Sequence, residues 1–447
     1  MELIAAIPFF GGFLATVLPF VVVLGIVVFI HEYGHYIVAR WCGIRSDVFS
    51  IGFGPVIWSR RDRRGTIWQL AALPLGGYVR FHGDSDGSSR ADPAALSGMS
   101  EAERAQTFHG ASVGRRIATV LAGPFANFLL SMVIFAGLAM WFGVPADRPT
   151  LGEIEPLPGV EQPLRSGDLV LEVNDKPISE ISQIYQAAAD MPAPGPMTFL
   201  VERDGQRLEF DAPFALPPLV TGVEPLSPAS RAGIRPGDVI LSAGGKPLAA
   251  FEELRTAVVA SGGRELPLEI WRDGQTLTLP IVPIERDADN GAGGFERRVM
   301  IGVAGASLYA PATETPAPWT ALGLGAGRVG DVIVQSLNGL RHILTGAIGA
   351  ENLQGPIGIA QVSGETASQG LGSFITLIAV ISTAIGLLNL FPIPVLDGGH
   401  VVAFVVEAVR GRPPSERALQ FAMSIGLGLI LLLMVFATYN DIMRMVS

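Results

Sequence analysis

The sequence predicts a multi-pass α-helical membrane protein with four transmembrane helices, a membrane-associated β-sheet behind the first of them, and two tandem β-rich domains between the second and third. Three observations predict it. Of 447 residues, 49% are hydrophobic and only 16% charged, and the mean hydropathy of +0.43 is high for a soluble protein. Four apolar runs have spanning length, at about 13–39, 117–141, 374–395 and 419–438. A polar stretch between the second and third runs repeats itself at a spacing of about seventy residues.

The first run lacks a basic n-region and opens with Glu2, so it reads as a retained helix and not as a cleaved signal. It closes on His31-Glu32-Tyr33-Gly34-His35. On a helix, positions i and i+4 share a face, so His31 and His35 can offer ring nitrogens to one tetrahedral zinc with Glu32 beside it to act on water. That pattern points to metallopeptidase chemistry. Chance alone can also place two histidines at a helix end, so a third ligand is required to decide. The only cysteine, Cys42, excludes a disulfide framework or a thiolate zinc site and reads as structural.

Residues 46–83 alternate short β-type runs with glycine turns and carry the charged tip Arg60-Arg61-Asp62-Arg63-Arg64. A small sheet, too apolar for an aqueous loop, is expected to lie against the membrane beside the metal. Its edge at Gly76-Gly77-Tyr78-Val79-Arg80 could pair with an extended substrate, although a plain connecting cap would look similar. The polar run from Asp84, including Asp84-Ser85-Asp86-Gly87-Ser88-Ser89, reads as a solvated loop. The second span carries Gly123-Pro124-Phe125-Ala126-Asn127, whose asparagine is expected to bond a neighbouring helix or the water network of the site.

In the repeat, Arg165-Ser166-Gly167-Asp168-Leu169-Val170 is echoed by Arg235-Pro236-Gly237-Asp238-Val239-Ile240, and each copy ends in a hairpin with Asp204-Gly205 or Asp273-Gly274 at its turn. Residues 287–318 read as a linker with one strand, Val299-Met300-Ile301-Gly302-Val303, and 319–350 as a helix on the outer membrane surface. The third span ends in Asn389-Leu390-Phe391-Pro392-Ile393-Pro394-Val395-Leu396-Asp397-Gly398-Gly399-His400. Two prolines break the helix and leave a carboxylate at membrane depth, where coordination offsets the cost of burying it. Asp397 is the expected third ligand. A helix cap at Asp397 and ligation by His400 are the competing readings.

Arginines crowd the loops between the first and second spans and between the third and fourth. These sides are expected to be cytoplasmic, with the repeats and both termini periplasmic. A net charge of −10 argues against nucleic acid as a partner. The reading divides the chain into 1–45, 46–83, 84–114, 115–143, 150–215, 216–285, 286–370, 371–400 and 401–447.

Taken together, these motifs resemble the site-2 protease family, and within it the bacterial regulators of sigma-E. The repeats resemble PDZ domains, although the first lacks the lead-in Ser227-Pro228-Ala229-Ser230-Arg231-Ala232-Gly233 of the second. The resemblance implies a zinc metalloendopeptidase of the bacterial inner membrane. Its site would face the cytoplasmic side and cut single-span substrates: an anti-sigma factor already trimmed in the periplasm, or remnant signal peptides. It implies Zn2+ on His31, His35 and Asp397, catalysis by Glu32, substrate handling by Asn389 and by Gly76, Gly77, Tyr78, Val79 and Arg80, and peptide C-termini at the PDZ-like domains. The alternative is a non-catalytic PDZ scaffold in the membrane.

Overall fold

The computed structural model describes residues 11–85, 97–289 and 295–446. The first ten residues of the expected first segment, and residues 86–89 of the polar run, lie outside them. Two compact units are present, one of residues 1–138, 318–346 and 350–447, the other of 139–317 and 347–349.

The first unit opens with helix α1 (Gly11–Trp41), followed by antiparallel strands β1 (Ser46–Arg61) and β2 (Ile67–Phe81) and helix α2 (Val113–Phe142). Both strands double back. Residues 48–51 pair with 67–70 on one side and with 77–80 on the other, while 58–61 also pair with 67–70. The bend falls at Gly52 and Gly54, whose φ values of +87° and +84° suit glycine. The outer edges of the sheet are therefore 58–61 and 77–80. Phe49 stacks on Trp68 with ring centroids 4.3 Å apart and meets Tyr36 edge-on, which seats the sheet on α1.

The second unit holds both repeats, and they are nested. The first contains β3 (Leu151–Ile154), β4 (Leu169–Val173), β5 (Lys176–Pro177), α3 (Ser182–Ala189), β6 (Met197–Arg203) and β7 (Gln206–Ala212), with sheet order β5-β4-β6-β7. The second runs through β8 (Val220–Val223), β9 (Val239–Ala243), β10 (Lys246–Pro247), α4 (Phe251–Ala260), β11 (Leu266–Arg272) and β12 (Gln275–Ile281), with sheet order β10-β9-β11-β12.

Residues expected as linker continue this architecture. The hairpin β13 (Ile284–Asp289) and β14 (Phe295–Met300) is followed by β15 (Val303–Gly305), which pairs with β8, and by β16 (Tyr309–Pro311), which pairs with β3. Leu308 and Tyr309 lie fully buried in the core of the first repeat with Leu151 and Phe199. A linker of one strand is thus corrected to five strands among the described residues, the fifth being Thr313–Glu314. β15 and β16 escape composition because each is three residues long with a glycine or proline, and because their pairing partners stand far back in the chain. Val144–Pro145 pairs with Thr313–Glu314, so the chain enters and leaves this unit side by side.

From 318 the chain returns to the first unit with α5 (Pro318–Leu344), α6 (Pro356–Ser368), α7 (Leu371–Asn389), α8 (Asp397–Arg410) and α9 (Glu416–Val446). Helices α1, α2, α7 and α9 are long and apolar enough to cross a membrane, at the four expected places. α5 was expected to rest on the membrane surface. Its residues Ala321, Gly325 and Val329 are buried, and Val329 packs with Phe135 of α2 and Ala379 of α7, while Trp319, Leu322, Leu337 and Leu344 are exposed. The small residues along that face permit the approach. α6 is tied to the last span, because the backbone N–H groups of Gly355 and Gly358 donate to the Asp441 carboxylate at 3.0 and 2.9 Å. The expected third segment, 371–400, is two helices: Pro392 and Pro394 break it, and Asp397 opens the second.

Candidate metal centre

The candidate metal site draws its three side chains from two helices of the first unit. α1 places His31 and His35 one turn apart, with rings edge-on, centroids 4.8 Å apart and Nε2 atoms 3.2 Å apart. The break before α8 brings in Asp397, whose Oδ2 lies 3.2 Å from His31 Nε2 and 3.5 Å from His35 Nε2. Ligand atoms about 2.0–2.1 Å from a tetrahedral centre stand about 3.3 Å from one another. Those three separations therefore have the size of one face of a zinc tetrahedron. The donor set, two imidazoles and a carboxylate, is that of a catalytic zinc with an open fourth position.

An unmet need points the same way. Asp397 Oδ2 is buried and accepts no hydrogen bond of good geometry, which a carboxylate in an apolar setting does not tolerate without a cation. The helix-cap reading of Asp397 fails on geometry: the N-cap of α8 is Leu396, with no side-chain bond. His400 lines the same cavity but stays outside the group of three.

Outer partners orient the rings. His35 Nδ1 faces the carbonyl of Thr119 at 2.9 Å, which fixes its Nε2 towards the metal position. His31 Nδ1 faces the side-chain amide of Asn127 at 3.3 Å. Asn127 is fully buried, and its backbone carbonyl accepts from Ser131 and Ser382, both at 3.0 Å. Gly123 leaves room for the rings, since a Cβ there would lie 2.4 Å from His35 Nε2. Farther along, Arg116 of α2 forms two hydrogen bonds with Glu407 of α8, at 3.0 and 2.6 Å, and stacks on Phe404.

A cavity of about 260 Å³ opens onto the three ligand atoms, with Glu32, Asn389, His400 and Met423 in its wall. Gly77, Tyr78 and Val79 of the outer edge of β2 line it from another side. A Cβ on Gly77 would stand 3.0 Å from Glu32 Cγ, so glycine is what lets this strand approach the carboxylate. Gly76 and Arg80 flank the lining stretch without joining it. Asn389 Nδ2 donates to the Ile385 carbonyl at 3.1 Å.

The cluster is legible in the sequence, whereas much of its support is not. Thr119 acts through its backbone, which no residue type announces. Arg116 and Glu407 are 291 positions apart and carry no shared motif.

The model of peptidase family M50 matches residues 19–433. A protein of Agrobacterium fabrum (strain C58), named as a candidate zinc metalloprotease, is 37% identical over 446 residues, covering 100% of this chain and 99% of its own length. The regulator of sigma-E protease RseP of Escherichia coli (strain K12) is 33% identical over 476 residues, covering 97% of this chain and 100% of its own. The regulator of sigma-E protease RseP of Salmonella typhimurium (strain 14028s) is 33% identical over 464 residues, covering 95% and 98%. The chain belongs to peptidase family M50, the site-2 type zinc metalloproteases.

Proposed function

We propose that this chain cuts single-span membrane proteins within the bilayer of the bacterial inner membrane. Its substrates would be an anti-sigma factor after a first periplasmic cut, and remnant signal peptides, so that cleavage releases a sigma-E type stress response. The observation that carries this reading is the meeting of His31, His35 and Asp397 at 3.2–3.5 Å in a cavity walled by Glu32 and a strand edge. A scaffold does not require that cost at membrane depth.

In this proposal His31, His35 and Asp397 hold the metal. Zinc, when bound, supplies Lewis acidity that polarises the scissile carbonyl and makes water a stronger acid. Glu32 takes a proton from the attacking water and delivers it to the leaving amide nitrogen. The edge at residues 77–79 receives the unwound substrate as an added strand, which holds the amide extended and satisfies its backbone groups away from water. Asn389 keeps its Nδ2 on its own helix and offers Oδ1 to a substrate N–H. Asn127 fixes the ring of His31. An imidazole that gives Nε2 to a metal carries its proton on Nδ1, and half a turn of the Asn127 amide presents Oδ1 to accept it.

The repeats act as PDZ-like domains on the periplasmic side and admit trimmed substrates. A cleft of about 470 Å³ in the second, between Phe251, Leu254 and Val258 of α4 and residues 299–304, supports a peptide end as its ligand. Arginine-rich loops at 40–64 and 410–417 support a cytoplasmic setting for the metal site.

Cleavage of a tagged single-span reporter in detergent, with zinc measured, tests the reading. Glu32→Gln is expected to keep about one zinc per chain and to lose roughly 10²–10⁴ of the rate. Wild-type rates in that variant would overturn the role of Glu32. Zinc binding without cleavage of any trimmed substrate by the wild type would favour the scaffold.

A further inference from the structure

The turn between β1 and β2 carries a feature that peptide cleavage does not use. Arg60, Arg61, Arg63 and Arg64 are all exposed there, and Arg40 is exposed at the end of α1. Among the described residues, none of the five has a carboxylate within ion-pair distance. The single acid of the turn is consumed internally. Asp62 Oδ1 accepts from the N–H groups of Arg64 and Thr66 at 2.8 and 3.0 Å, and its Oδ2 accepts from Trp68 Nε1 at 3.2 Å and Tyr36 O–H at 3.4 Å. Asp62 therefore fastens the turn to α1 one residue beyond His35. The arginines are left as a block of uncompensated positive charge.

Apolar surface adjoins that charge. Val56, Ile57 and Trp58, on the strand leading into the turn, are 50%, 68% and 55% exposed, and Trp41 is 75% exposed. A row of exposed aliphatic and indole side chains that passes directly into arginines has the polarity of a bilayer surface, with acyl chains on one side and headgroup phosphates on the other. Space for the phosphate exists. A cleft of about 330 Å³ lies among Trp58, Arg60, Arg61, Asp62, Arg63 and Trp68, where the one carboxylate is taken up by its own four hydrogen bonds, and a second of about 280 Å³ has Arg40, Arg45 and Arg64 in its wall. Guanidinium forks match phosphate oxygens in pairs, and an indole sits well at headgroup depth. A small soluble anion would leave the apolar strand uncovered.

We propose that residues 60–64, with Arg40 and the indole of Trp58, form a binding site for the phosphate of an acidic phospholipid. The bound lipid steadies a sheet whose opposite edge lines the metal cavity with residues 77–79. This goes beyond the cleavage reaction, and lipid retention reads it without any substrate.

The test uses the full chain in vesicles of phosphatidylcholine mixed with phosphatidylglycerol, followed by extraction and mass spectrometry of retained lipid. The variant Arg60→Gln/Arg61→Gln/Arg63→Gln/Arg64→Gln should retain at least tenfold less phosphatidylglycerol, since each basic residue at an anionic surface is worth roughly fivefold. Zinc content should not change, which shows that the fold survives. Arg60→Lys/Arg61→Lys/Arg63→Lys/Arg64→Lys should recover most of the retention, and Arg410→Gln/Arg412→Gln/Arg417→Gln, from the end of α8 to the start of α9, should match wild type. Equal retention by the glutamine variant and wild type would overturn the site. So would an equal loss in the 410–417 variant, or displacement of the lipid by inorganic phosphate alone.

Discussion

Two kinds of buried carboxylate occur among the described residues: those satisfied by their own protein, as in the repeats and at Asp441, and Asp397. In the repeats, Asp168 accepts two bonds of 2.7 Å from Arg203 and one of 2.8 Å from the Arg165 N–H. Asp238 has the same set, from Arg272 and Arg235 at the same distances. Burial alone would raise the Asp168 carboxyl, but Arg203 and the Arg165 N–H outweigh it and hold it below the ordinary value. In the membrane unit, Asp397 Oδ2 has no such donor. The contrast separates two purposes. A carboxylate satisfied by its own protein fastens a fold, whereas one left wanting and faced by two imidazoles is kept for a ligand from outside.

The largest effect is expected at the unsatisfied acid. Asp397→Ala should abolish both bound zinc and cleavage while the chain stays folded. Chelation should then lower the melting temperature of wild type but not that of the variant, as thermal unfolding with and without chelator would reveal. A variant that holds zinc at wild-type stoichiometry would break the comparison.

At the satisfied acid the outcome should reverse. Arg203→Met leaves Asp168 buried and unpaired and should cost about 3 kcal/mol of stability. Hydrogen exchange over residues 169–173 should rise, with zinc content unchanged. Metal loss in this variant would mean that the two carboxylates are not independent.

A smaller effect sharpens the ligand side. Asn127→Ala should weaken zinc binding about 10–100-fold, read by competition with a chelating dye. Asn127→Asp should restore much of it, because a carboxylate also accepts from His31 Nδ1. An unchanged affinity in both would assign Asn127 to helix packing alone.

The mildest change is expected from removing the filter. Excising 150–285, as the sequence repeat suggests, would strand β15 and β16 without partners. The excision that respects the pairing runs from 147 to 311, because Ala146 and Ala312 are hydrogen-bonded neighbours at 2.9 Å. It should leave cleavage of a trimmed reporter within a few-fold of wild type while untrimmed reporters begin to be cut.

These results also mark what a sequence can disclose. His31 and His35 were legible because the period of the helix fixes their relation, and Asp397 because Pro392 and Pro394 announce a break at membrane depth. Even the doubled sheet was foreshadowed by Gly52, Gly54 and Gly76. What stayed hidden depends on long-range partners. The carbonyl of Thr119, the clamp of Arg116 on Glu407 and the return of Tyr309 to the first repeat exist only once distant segments meet. Short strands such as Val303–Gly305 have no periodicity to read, and their identity comes from the neighbour they pair with.

The nesting of the repeats imposes an order of events on synthesis. Residues 151–212 cannot complete their core until Leu308 and Tyr309 arrive, roughly a hundred residues later, which at ribosomal speeds is an interval of about 5–20 s. The inner repeat, whose partners are nearer in sequence, can close during that interval. The outer one waits as an open sheet with Leu151 and Phe199 exposed, so the youngest form of this chain is also its stickiest. A helper that shields the open sheet has its moment while residues 213–308 are being made, after both leading spans are complete.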